Sequence, residues 1–290
     1  MIVITAPTSA IGRQVVQNIL STGTPLRVVA RDPARLAPGV AEQAEVVRGS
    51  HSDPAVVADA FAGAGAVFWL VPPDPHAPSL EAAFSGFARA AIEAFPSVGR
   101  VVGVSALGRG TAVAGNAGYV TASLAMDDLI AATGVPYRAL TMPSFMDNLL
   151  RQAGLIKSQG IFTAVYDPER PLPLVATRDI AAVAARLLRD DTWTGYEEVP
   201  VLGPELLSQN DLAAVMSDVL GRPVRYQRTT PEATLQLARS QGVSEAMAHG
   251  RVDMLVAKDN GLDHTILGTP LGGTTFRQWC LDVLKPAVDA

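Results

Sequence analysis

Two residues in the middle of the chain have the types and the setting to act on a polarised double bond. Ser105 follows the apolar run from Arg100 to Val104, and Tyr119 lies in the helical stretch that comes next. A serine hydroxyl and a phenol sharing one site could polarise a carbonyl and pass it a proton after a hydride has arrived. A strand-end serine and a helix-start tyrosine can equally be packing groups at an interface, which is the commoner fate of such residues.

A second constellation precedes them. The apolar run Ile2 to Ile4 stops at Thr5-Ala6-Pro7-Thr8-Ser9-Ala10-Ile11-Gly12, and a helical pattern follows with Ile11, Val15 and Ile19 on one face. Strand, tight turn and helix in this order open a dinucleotide-binding α/β domain, where backbone N–H groups and the helix dipole receive a pyrophosphate. Of the three glycines such a turn carries, only Gly12 remains; Ala6 and Ser9 occupy the other places. Ser9 could donate its hydroxyl to a phosphate, or simply cap the helix. Arg31 lies just past the second strand, where an acidic residue would hold a ribose 2′-hydroxyl. Arginine there suits a 2′-phosphate, with Arg35 one turn further on, so NADP(H) is expected ahead of NAD(H).

The elements that must position these residues follow from periodicity. Strands are expected at 2–4, 26–30, 44–47, 66–71, 100–104 and 135–141, alternating with helices that include 79–95 and 116–132. That alternation implies an α/β fold with a doubly wound parallel sheet. Beyond Met142 the pattern loosens. A helix is expected at 145–157, a short strand at 160–165, a strongly amphipathic helix from Thr177 to Leu188 and a strand at 197–201. Ser208 with Asp211 reads as a capping box for a helix closed by Gly221. The expected division is a dinucleotide-binding domain at 1–150, rejoined by 175–202, and a small, mainly helical substrate lobe from 151–174 and 203–290.

Composition narrows the partners. Of the 290 residues 48% are hydrophobic and 18% charged, which is enough apolar material for a sizeable core. The net charge of -5 gives no reason to expect nucleic acid or an anionic membrane. The single Cys280 cannot form a disulfide within the chain, and His51, His76, His249 and His264 lack metal-ligand spacing, so no metal is expected. No apolar run is long enough to span a membrane and no basic leader is visible, so a cytoplasmic protein acting on a small molecule is expected. The sequence does not fix an oligomeric state.

The order and spacing of several short motifs resemble the NmrA-like group of atypical short-chain dehydrogenases/reductases across nearly the whole chain. They are Thr5 to Gly12, Val29-Ala30-Arg31-Asp32-Pro33, Val101 to Leu107, Thr133-Gly134-Val135-Pro136-Tyr137, Pro143 to Asn148, Thr177 to Ala181 and Gly203 to Ser208. The resemblance implies a Rossmann fold whose turn is typically Gly-Ala-Thr-Gly-x-x-Gly, two glycines richer than the one here. It also implies a Tyr-x-x-x-Lys pair, which falls on Tyr119 and Ser123 when counted back from Thr133-Gly134. The lysine is absent, and only Lys157, Lys258 and Lys285 occur in the chain.

A phenol without that lysine remains an acid but not an easily ionised base, which favours reduction. Cofactor contacts are expected at Thr5, Pro7, Thr8, Ser9, Ala10, Ile11, Gly12, Arg31, Arg35, Val71, Pro72 and Pro143. Substrate contacts are expected at Phe145, Met146 and Asn148, with Ser105 and Tyr119 as catalytic residues. The expected activity is NADPH-dependent reduction of a ketone, quinone or polyketide-like carbonyl. The alternatives are a non-catalytic NAD(P)-sensing regulator or a non-redox enzyme on the same scaffold.

Overall fold

The computed structural model describes residues 1–263 and 272–290. The chain forms two compact units, one of residues 1–106, 122–141 and 180–200, the other of residues 107–121, 142–179 and 201–290. Residues 107–121 and 142–150 therefore group with the second unit.

The first unit is built on seven strands: β1 (Ile2–Thr5), β2 (Leu26–Ala30), β3 (Glu45–Arg48), β4 (Ala66–Trp69), β5 (Val101–Val104), β6 (Tyr137–Thr141) and β7 (Tyr196–Pro200). They pair in parallel in the order β7-β6-β5-β4-β1-β2-β3. β1 and β4 are buried along their whole length, as strands covered on both faces must be. One face is covered by α2 (Pro54–Phe61), α3 (Phe87–Ala94) and α4 (Tyr119–Ala132), from which Phe61, Ala88, Ala91, Met126 and Ile130 pack against Val3, Val29, Val67, Trp69 and Val101. α1 (Ala10–Leu20) buries Ile11, Gly12, Val15, Val16 and Ile19, the face that the sequence marks as apolar.

Strand order reverses between β1 and β4, because β1 lies between β2 and β4. In open α/β sheets ligands bind beside such a switch, at the carboxyl ends of the strands. The β1–α1 turn leaves the sheet there. β4 stops at Trp69, earlier than the apolar run suggests. The Leu70 N–H leaves the ladder for the Thr5 hydroxyl at 3.0 Å, and that hydroxyl donates to the Phe68 carbonyl at 2.9 Å.

In the second unit the single helix expected at 145–157 is three pieces: a strand at Ser144–Phe145, a 3-10 stretch at Met146–Gln152 and a helix at Ala153–Gln159. Strand pairing overrides the helical pattern, since Ser144 and Phe145 align with Leu174 and Val175. Leu206–Leu207 completes that small sheet. The expected strand after Gly160 pairs in parallel, Ile161–Ala164 with Arg225–Arg228. Next to α5 (Thr177–Arg189) in chain order comes α6 (Gln209–Leu220), whose capping box is formed by Ser208 and Asp211 and which ends at Gly221 with φ 64°. α7 (Pro231–Ser240) and α8 (Glu245–Asp259) follow. Met146, Phe162, Phe276 and Trp279 share the core of this unit. No helix among the described residues is long and apolar enough to cross a membrane.

Candidate active site and cofactor turn

The turn after β1 has, at Ala6, the backbone that a glycine would give. Ala6 has φ 49°, and no other described non-glycine residue has a positive φ. An alanine in the left-handed region costs about 1–2 kcal/mol, and such strain gathers at functional sites. The Ala6 carbonyl accepts from the Ser9 N–H at 3.0 Å, which closes the turn. A Cβ on Gly12 would lie 2.2 Å from that same carbonyl oxygen, so glycine is obligatory there. Ser9 is the N-cap of α1, its oxygen accepting from Gly12 N–H at 3.0 Å. A capping hydroxyl still has its own proton to donate, so the cap and the phosphate roles are compatible.

Around this turn the other expected contacts divide by burial. Pro7, Ile11 and Gly12 are buried, Ser9 is half-buried, and Thr8 and Ala10 are exposed. Thr5 is fully enclosed and its hydroxyl is spent joining β1 to β4. Val71 and Pro72 are half-buried just beyond β4.

Arg31 and Arg35 are exposed at the carboxyl end of β2, and neither guanidinium makes a hydrogen bond or ion pair among the described residues. Asp32 between them caps the short 3-10 turn through Ala34 N–H at 3.2 Å and forms no ion pair with either. Beside them lies a residue the sequence did not single out. His51 is buried, its Nε2 lies 3.0 Å from the Leu70 carbonyl, and its ring meets Trp69 and Phe87 edge-on. Burial lowers its pKa to about 4 against the opposing pull of the Leu70 carbonyl, and Arg31 lowers it further. The imidazole is therefore neutral at pH 7, with Nε2–H donating to Leu70. These features suit a dinucleotide: an α1 N-terminus with close backbone approach, and two cations outside any ion pair just past β2.

Ser105 continues the β5–β6 pairing, its N–H donating to Leu140 at 2.9 Å. Its hydroxyl donates to the Asp127 carboxylate on α4. The second Asp127 oxygen accepts from Tyr137 Oη at 2.5 Å. Asp127 is fully buried, and both its carboxyl oxygens are hydrogen-bonded. Gly103 makes the arrangement possible, because a Cβ there would stand 2.5 Å from the Tyr137 hydroxyl. Ser105 thus has its proton committed inward and offers lone pairs outward, unlike the donor expected from the sequence. Ser123, one helical turn before Asp127, is buried and carries no charge. Sequence reasoning missed Asp127 and Tyr137. The signal was an acidic pair, Asp127-Asp128, two helical turns past Tyr119 in a mainly apolar stretch.

In the second unit Tyr119 is half-buried at the first position of α4. Burial raises its pKa and Arg251 opposes that rise, so the phenol keeps its proton at neutral pH. Pro143 is buried, Phe145 half-buried and Asn148 exposed. Met146, expected to touch substrate, is instead 2% exposed and packs inside the unit's core. Among the described residues no group of three His, Cys, Asp or Glu side chains could hold a metal, and His264 lies outside them.

Comparison with known proteins identifies the family and the fold. Residues 8–191 match the model of a family described as NAD(P)H-binding. A (4-alkanoyl-5-oxo-2,5-dihydrofuran-3-yl)methyl phosphate reductase of Streptomyces griseus is 34% identical over 239 residues, covering 80% of this chain and 78% of that protein. An NAD(P)H azoreductase of Xenophilus azovorans is 29% identical over 252 residues, covering 86% and 84%. The fold is shared with an NADPH-dependent quinone oxidoreductase of Escherichia coli solved with NADPH, at a TM-score of 0.74 and 21% identity over 96% of this chain and 98% of that one. The resemblance to NmrA-like atypical short-chain reductases is borne out.

Proposed function

The chain belongs to the NAD(P)H-binding family and is an oxidoreductase, and from that premise we propose that it reduces a conjugated, electrophilic small molecule with NADPH. The turn from Ala6 to Gly12 and the α1 N-terminus hold the pyrophosphate, and Arg31 and Arg35 hold the 2′-phosphate that separates NADPH from NADH. When bound, the cofactor supplies a hydride.

The observation that carries the substrate reading is the donation of Ser105 Oγ to Asp127. A serine whose proton is held by a buried carboxylate accepts hydrogen bonds and does not polarise an oxygen. With Ser123 in place of a lysine, Tyr119 is left as the proton donor. One donor suffices for a quinone or a carbonyl-conjugated alkene, which takes hydride readily and delocalises the resulting charge. An isolated ketone needs stronger help at oxygen. The names of the azo, dihydrofuranone and quinone reductases support the same direction.

The test is NADPH oxidation against matched quinones and unconjugated ketones. Quinones should turn over at least about a hundredfold faster, the usual size of missing acid catalysis. Comparable rates on simple ketones would overturn the substrate reading.

A further inference from the structure

The reductase reading leaves one charge unsupplied, the cation beside the tyrosine. Ser123 cannot provide it, and the Lys258 ammonium is already held by both Asp263 oxygens, at 3.0 and 2.9 Å. Within the second unit another cation is brought to the place. Gly118, with φ 53°, lies against the backbone of Gly250 in α8, and a Cβ on Gly118 would fall 1.9 Å from the Gly250 carbonyl oxygen. No side chain on Gly118 could survive that approach. The next residues along the two segments are Tyr119 and Arg251. Arg251 is half-buried, and its guanidinium makes no hydrogen bond or ion pair among the described residues. Its positive charge acts on Tyr119 and also on Tyr166, a buried phenol that feels the charges of Asp263 and Asp259 as well.

We propose that Arg251 supplies the cation that the chain lacks at position 123, stabilising negative charge on Tyr119 Oη as that phenol gives up its proton. The Tyr119 O–H bond breaks and its proton goes to the substrate heteroatom that carries the electron pair left by hydride addition. Water then returns a proton to the phenolate. Arg251 acts through Tyr119 and is a positioning residue. A guanidinium suits the task, since it stays protonated at every working pH.

This inference rests on the reductase reading, so one arm of its test needs no turnover. Ultraviolet difference titration of wild type and Arg251→Gln, each against its Tyr119→Phe counterpart, isolates the Tyr119 phenol. Phenolate should form about one pH unit higher in Arg251→Gln, and Arg251→Lys should restore it. An unchanged Tyr119 titration overturns the proposal. In the second arm, Arg251→Gln should lower kcat for a quinone about tenfold with KM nearly constant, and Arg251→Lys should recover most of the loss. Reduction of a cationic triarylmethane dye, which takes a hydride without a proton, should be unaffected. Equal losses on quinone and dye would mark a merely structural arginine and overturn the proposal. A wild type that turns over neither acceptor defeats the reductase reading, while the titration still decides the charge on Tyr119.

Discussion

The Ser105 hydroxyl donates to Asp127, a carboxylate fully enclosed beneath the carboxyl end of the sheet. That one bond turns a residue with the look of a catalytic donor into an acceptor. Ser105→Ala should therefore leave kcat on a quinone within about threefold of wild type. Asp127→Ala, by contrast, removes the acceptor that the Ser105 and Tyr137 hydroxyls share and should cost about 2–4 kcal/mol in denaturant unfolding. A loss of a hundredfold in kcat for Ser105→Ala with unchanged stability would restore serine as the acid.

The β1–α1 turn makes two opposite predictions. Gly12→Ala drives a methyl into the Ala6 carbonyl and should weaken NADPH binding more than tenfold, read by fluorescence titration. Ala6→Gly relieves the positive φ and should stabilise the fold by about 1 kcal/mol without weakening the cofactor. Destabilisation by Ala6→Gly would mean that the turn does not carry this strain.

We assign cofactor choice to Arg31 and Arg35, which form no ion pair among the described residues. Replacing both with Ala should raise the Kd for NADPH about tenfold or more and leave that for NADH almost unchanged. The NADPH effect should shrink as salt is added. Equal weakening of both cofactors would place the 2′-phosphate elsewhere.

His51 gives the fold an acid sensitivity of known sign. Its pKa is lowered to about 4 in the folded protein, against about 6.5 in an unfolded chain, so protonation favours unfolding. Its contribution is fully present above pH 6.5 and is lost as pH falls toward 4, by up to about 3 kcal/mol. His51→Gln should flatten that part of the stability–pH curve. Parallel curves for the two proteins would show that the imidazole is not kept neutral by burial.

Much of the first unit was legible because its signals are local and repeated. Apolar runs bounded by turns gave six strands of the sheet, and Ser208, Asp211 and Gly221 gave both ends of a helix. The segment after Met142 was misread because its helical periodicity lost to pairing with Leu174 and Val175, distant in sequence. The site was legible in its parts and not in its connections. Nothing near Ser105 in sequence announces Asp127, and the Gly118–Gly250 contact joins segments far apart. Met146 shows the converse, an apolar residue beside a motif whose side chain serves the core.

The most direct measurement is the stoichiometry of NADPH oxidation with a quinone, without oxygen, for wild type and Gly12→Val. Wild type should form one quinol per NADPH consumed, and Gly12→Val should neither bind nor consume NADPH. Failure of the wild type to bind or consume NADPH, or equal consumption by Gly12→Val, would contradict the reductase reading.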